Sequence, residues 1–201
     1  MGTESPTSGN KKKKVERMKV FINPGHAPNG VPDPGAVNPN NGARESDFAW
    51  AAGQMLQAYL EQAGMEARLL QSDDLNEVCQ ASNAWPADIF VSLHCNSAAD
   101  LSAQGMETWY ASPAGLRLAN CIQRQLASSL DTTDRGCKHG PGLWVLKDTD
   151  AVAVLVEMGF IGNDHDYNLL ASRLDSIAAA IARGVTDYEL EVSRCAGCAD
   201  C

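Results

Sequence analysis

What this sequence lacks narrows its roles before anything it contains. No apolar run approaches the roughly 18 residues needed to cross a bilayer. The opening stretch MGTESPTSGNKKKKVER has no apolar centre of the kind a secretory signal carries. The expectation is therefore a soluble chain with no export address. Basic charge is also scarce: 16 Lys and Arg stand against 25 Asp and Glu among 201 residues, a net charge of −9. Residues 1–17 hold five basic side chains and only two acidic ones, so without them the net charge becomes −12. Such a body repels nucleic acid, whose phosphates require a basic face. The Lys11–Lys14 run can touch an anionic surface, but it reads first as part of a solvated, disordered basic tail over residues 1–17.

A disulfide framework is missing too. Seven cysteines is an odd number, and Cys79, Cys95, Cys121 and Cys137 lie scattered, which fits synthesis in a reducing compartment. The remaining three form CAGCADC at the C-terminus. Cys195, Cys198 and Cys201 have metal-like spacing but supply only three ligands, so residues 189–201 read as an unstructured, reactive tail rather than a metal site. There is no internal repeat and no sign of a second domain, which leaves residues 18–188 as one domain.

Along that domain, strands alternate with helices. MKVFIN (Met18–Asn23), a segment around Glu66–Leu70, ADIFVSLH, GMETWY, LWVL and AVAVLVE read as strands. Phe48, Ala52, Met55, Leu56, Tyr59 and Leu60 recur at helical spacing from Glu45, and Gly64 is placed to end that helix. Ser72 and the aspartates after it can cap a helix through about Ala84, and Ser112 with Pro113 marks another helix start. The last helix is expected over about Asp166–Gly184. This alternation predicts an α/β fold, a mostly parallel sheet with helices on both faces.

In such sheets ligands bind beyond the carboxyl ends of the strands. Three strands deliver ionisable groups there: His26 just after the first, His94 closing ADIFVSLH, and Glu157 closing AVAVLVE. Glu157 follows six small or branched apolar residues, a place where an unpaired carboxylate costs several kcal/mol, by rough estimate. Glu45 starts the helix that leaves the Gly- and Pro-rich loop after the first strand, so its side chain can turn back into the same crevice. Two imidazoles and a carboxylate form a ligand set used at catalytic zinc. Their net charge of about +1 with the ion lowers the pKa of coordinated water toward ~7. A second carboxylate can then carry the proton. Taken singly, each residue has a plainer reading: a hydrogen-bonded structural histidine, a first-turn carboxylate at Glu45, and a Glu157 paired with an arginine such as Arg135. Convergence on one sheet edge is what favours the metal.

The segments NPGHAPNGVPDPGA, ARESDFAW, DIFVSLHCNSA, GMETWY and VLVEMGFIGNDHDYNLL, in this order from about Met18 to Tyr188, resemble the zinc-dependent N-acetylmuramoyl-L-alanine amidases. These are the type-3 amidase catalytic domains of bacterial cell-wall hydrolases and phage endolysins. The resemblance implies a twisted sheet of about six strands, one zinc ion on His26, Glu45 and His94, and Glu157 as the catalytic carboxylate. It also implies hydrolysis of the amide joining the lactyl group of N-acetylmuramic acid to L-alanine in peptidoglycan. Val78 stands where the family often has arginine, and Val152 where it often has proline. His139 reads either as a groove residue or as an exposed loop residue, and His165 as part of a helix cap. The expected partner is peptidoglycan, met by a monomer without nucleic acid. A catalytically silent wall-binding module and a zinc peptidase or deacetylase acting on another amide stay open beside the amidase. With the substrate outside the cytoplasmic membrane, the chain is expected either to wait in the cytoplasm for release, as an endolysin does, or to take its export segment from outside this sequence.

Overall fold

The computed structural model of the chain describes residues 17–197. The Lys11–Lys14 run, Cys198 and Cys201 lie outside the described residues, whereas Cys195 is exposed near the end of the last helix. Six strands form one sheet: β1 (Lys19–Pro24), β2 (Glu66–Leu69), β3 (Ile89–Asn96), β4 (Met106–Tyr110), β5 (Asp134–His139) and β6 (Val152–Phe160). Their order is β2-β1-β3-β6-β4-β5, and every pairing is parallel except β4 with β6. The predicted α/β architecture is therefore present.

The central strands are apolar throughout because both of their faces are covered. Side chains alternate with a period of two. Val20, Ile22, Val91, Leu93, Val154 and Val156 enter a large core completed by α1 (Glu45–Gln62), α3 (Pro113–Ser129) and α5 (Asp164–Gly197). Phe21, Phe90, Ala153 and Leu155 enter a smaller one covered by α2 (Leu75–Ala84) and α4 (Trp144–Lys147). The helix signals act locally as their chemistry requires. Asp74 accepts from the backbone of Asn76 and Glu77 to cap α2, Ser112 accepts from Gly115 to cap α3, and Gly64, with φ of 90°, follows the end of α1. Asp166, 1% exposed, accepts backbone hydrogen bonds from Gly105 at 2.7 Å and Phe160 at 2.8 Å, fastening α5 to the end of β6 and the entrance of β4.

Three expectations differ from the structure. LWVL is not a strand: Leu143 caps α4, whose single turn buries the adjacent Val145 and Leu146 in the smaller core and exposes Trp144. A strand would have sent those two neighbours to opposite faces. The sixth strand is instead DRGCKH, Asp134–His139, a largely polar edge strand paired only with β4. An edge strand with this little burial carries no apolar signature. The last helix also runs past Gly184 to Gly197, because Val185, Tyr188 and Val192 continue its buried stripe against the large core. Residues 189–197, expected as tail, are thus helical. At the two positions departing from the amidase pattern, Val78 is buried in the smaller core and Val152 opens β6. Among the described residues no helix is long and apolar enough to cross a membrane.

The crossing of α3 and α5 depends on Gly184, where a Cβ would overlap the backbone of Ile122. Gly184→Ala should lower stability by about 1–3 kcal/mol, the usual cost of overpacking. Urea unfolding should show the midpoint falling with an unchanged slope.

Candidate active site

The site is built at the carboxyl ends of β1, β3 and β6. Backbone pairing carries the β1 chain one residue past Pro24, with Gly25 N donating to the Leu93 carbonyl at 2.9 Å. Gly25 must lack a side chain, since a Cβ there would overlap the His94 ring. His26 then takes φ of 68°, a left-handed conformation costly for a non-glycine residue and concentrated at functional sites. That turn aims its ring back across the sheet edge. Gly35, also left-handed with φ of 67°, lies so close that a Cβ would come within 2.5 Å of the His26 ring and 2.6 Å of the Glu45 carboxylate. The loop is thus shaped around these two side chains.

Glu45 is the meeting point. Its Oε1 lies 2.9 Å from His26 Nε2 and 2.9 Å from His94 Nδ1, and it accepts the Cys95 backbone N–H at 2.9 Å. Its Oε2 accepts the Ala36 N–H at 2.7 Å. The ligand atoms of His26, Glu45 and His94 all fall within 4.8 Å of one another, a spacing at which a single divalent ion can bind all three. The two rings cross edge to face with centroids 5.0 Å apart. Asp33, unremarked in the sequence, holds the far side of His26: its Oδ2 is 2.7 Å from Nδ1, and Gly35 N donates to its Oδ1 at 2.9 Å. A carboxylate behind a ligating imidazole fixes ring orientation and raises its basicity. Among the described residues, this trio is the group arranged to hold a metal ion.

Charges follow the geometry. Burial works against a charged His26, but the hydrogen bonds and charges of Glu45 and Asp33 outweigh it and raise its pKa to about 9. Burial opposes ionisation of Glu45 as well, yet hydrogen bonds from His26 and His94 hold it far below the usual carboxylate range. Asp33 is held low first by its hydrogen bond with His26.

Glu157 has the opposite surroundings. In the strand register it sits beside His94 on one flank and Glu107 on the other. Its Oε2 is buried with no hydrogen-bond partner. Burial, with the charges of Glu45 and Glu107, raises its pKa to about 7 despite the nearby histidines. The alternative pairing with Arg135 is not formed. Arg135 Nε instead bonds Glu107 Oε2 at 2.7 Å, while Asn96 and Trp109 donate to Glu107 Oε1 at 3.1 and 3.2 Å. Glu107, Arg135, Trp109, Leu155 and Phe160 line a cavity of about 370 Å³ that opens beside Glu157. Glu107 and Trp109 lie in the GMETWY segment, but their place beside Glu157 follows only from the strand register. His139 is not in a loop: it ends β5, exposed, with its ring 5.4 Å from that of Tyr110. His165 lies in the first turn of α5, where Asn163 Oδ1 accepts its backbone N–H, and it takes no part in the site.

A family profile described as N-acetylmuramoyl-L-alanine amidase matches residues 20–187. The chain is 37% identical over 184 residues to the uncharacterized protein YqiI of Bacillus subtilis (strain 168), covering 87% of this chain and 86% of that one. It is 34% identical over 179 residues to the N-acetylmuramoyl-L-alanine amidase LytC of the same organism, covering 84% of this chain but 35% of LytC. Among solved structures, the N-acetylmuramoyl-L-alanine amidase AmiC2 of Nostoc punctiforme superposes with a TM-score of 0.79 at 30% identity, covering 86% of this chain and 97% of that one. The catalytic domain of CwlV, an amidase of the same description from Bacillus (Paenibacillus) polymyxa var. colistinus, does so with 0.78 at 30% identity, covering 86% and 98%.

Stripped of metal ions, the chain should show these charges in its stability. His26, raised from 6.5, contributes fully below pH 6.5 and loses that contribution as pH climbs through about 9. Glu157, raised from 4.5 to about 7, loses its contribution across that interval, while Glu45, depressed from 4.5, loses its own only on acidification. The melting temperature of chelator-treated protein should therefore peak near about pH 5 and fall toward pH 9. Calorimetry across that range checks it.

Proposed function

The chain belongs to the N-acetylmuramoyl-L-alanine amidase family, and from that premise we propose that it hydrolyses the amide between the lactyl group of N-acetylmuramic acid and L-alanine in peptidoglycan. In this reading zinc is held by His26, Glu45 and His94, and Glu157 moves the proton. The observation that carries it is the convergence of three donors from three separate segments within 4.8 Å, with Glu157 the register neighbour of one of them. The donor set fits zinc: two imidazoles and one carboxylate, with the half-exposed Asp33 carboxylate hydrogen-bonded to the other nitrogen of His26. When bound, the ion supplies Lewis acidity, polarising the scissile carbonyl and acidifying water.

The protein's own groups do the rest. Asp33 keeps Nε2 of His26 directed inward, and the N–H groups of Ala36 and Cys95 keep Glu45 from rotating away. Glu157, with a carboxyl raised to about 7, is matched to accept a proton from the attacking water and to return it at neutral pH. Water adds to the lactyl carbonyl, the C–N bond breaks, and the proton passes from Glu157 to the departing nitrogen, leaving a lactyl carboxylate and the amino terminus of L-alanine. Glu107, fixed by Arg135, Asn96 and Trp109, keeps a negative charge beside Glu157 that favours its protonated form.

Glu157→Gln should lower the release of L-alanine amino termini from purified sacculi by about 10²–10⁴-fold while retaining one zinc per chain. His94→Ala should lose both zinc and activity. Asp33→Ala should weaken zinc affinity by about 10–100-fold, the usual effect of removing a carboxylate behind a ligand. Metal analysis and chelator competition on the same samples separate these outcomes.

A further inference from the structure

We propose that a groove on the β2 side of the site is a saccharide subsite that holds the glycan strand, with Trp50 as its stacking platform. The inference rests on the amidase reading, which fixes the direction of the substrate. The departing nitrogen takes its proton from Glu157, so the stem peptide lies on the β6 and β4 side, over the cavity that Glu157 borders. The other substituent of the scissile carbonyl is the lactyl ether of the sugar. It must leave the site the opposite way, past His26 and Glu45 toward β2.

A cavity of about 330 Å³ lies on that side, lined by Pro28, Asn29, Ser46, Trp50, Leu70 and Gln71. It is joined to the site through the backbone. Ser46 directly follows Glu45, and Gln71 Nε2 donates to the carbonyls of Gly25 at 3.1 Å and Ser46 at 3.0 Å. Two observations point to a ligand. Ser46, part of the lining, is 1% exposed, and its hydroxyl is buried without a hydrogen-bond partner. One helical turn further along α1, Trp50 leaves 40% of its surface exposed at the rim rather than joining the core. Beyond the indole the hollow continues over a second depression of about 670 Å³ that adds Gln54 and Gln57.

An exposed indole with planar amides beside it suits a pyranose, which offers an apolar C–H face to the ring and hydroxyl and acetamido groups to the amides. The two depressions share Trp50, Leu69 and Leu70, so the groove offers room beside the sugar that carries the scissile bond. The enzyme would then read strand as well as peptide.

The test uses the full chain and peptide-free strands of alternating N-acetylglucosamine and N-acetylmuramic acid, which lack the lactyl–L-alanine amide. Binding by the native protein is expected, weakened about tenfold in Trp50→Ala and partly retained in Trp50→Phe. On sacculi, Trp50→Ala should raise KM several-fold more than it lowers kcat. Equal strand binding by native and Trp50→Ala proteins would overturn the subsite, as would no binding by a protein that still cleaves sacculi. Capture of free stem peptide by this groove, lost in Trp50→Ala, would reassign it to the peptide and overturn the saccharide. Strand binding lost in Trp50→Ala, in a protein that releases no L-alanine amino termini, would keep the subsite and sink the amidase reading instead.

Discussion

Everything at the sheet edge depends on one carboxylate. Glu45 brings its Oε1 within 2.9 Å of two imidazole nitrogens and accepts the N–H of Cys95, while Oε2 takes that of Ala36. These partners belong to the exit of β1, the loop before α1, and the end of β3, so a single side chain ties three segments together. A buried carboxylate is costly without such compensation, and removing either imidazole would strip away part of it. The same convergence that satisfies the charge in the metal-free chain assembles a ligand set for a divalent ion. Fold and chemistry are therefore secured by the same contacts.

Glu157 shows the complementary use of burial. It lies one strand from Glu45's partner His94, yet one of its oxygens has no hydrogen-bond donor, and its strand neighbour Glu107 is negative. One carboxyl is pressed far down and the other up to about 7 within the same edge of the sheet. Two acids pushed apart in this way can hold different roles, one as a permanent anion and one as a proton carrier. The antiparallel insertion of β4 makes this possible, because it sets Glu107 directly opposite Glu157. Arg135 then serves Glu107 and leaves Glu157 unpaired.

The parts legible in the sequence were those with a strong local signal. Buried parallel strands read as apolar runs, α1 and α3 as amphipathic stripes with caps, and the carboxyl-end rule pointed to His26, His94 and Glu157, although β3 runs two residues past His94 and β6 three past Glu157. Elements with little burial or little length were missed or misread. β5 is polar because only one neighbour and little core require it, and α4 is one turn, too short for a helical period to show. Asp33 and Glu107 were invisible for another reason: their meaning comes from contacts to His26 and across the β4 and β6 register, and no spacing along the chain encodes either.

The central claim is that His26, Glu45 and His94 bind one zinc ion together. X-ray absorption at the zinc edge of the loaded full chain tests it most directly, because the three cysteines near the C-terminus offer the chain a rival, sulfur-rich place for the metal. Two imidazoles with oxygen completing the shell at about 2.0–2.2 Å, and no sulfur, is the predicted spectrum. A shell dominated by sulfur at about 2.3 Å, or one without imidazole scattering, would contradict the account.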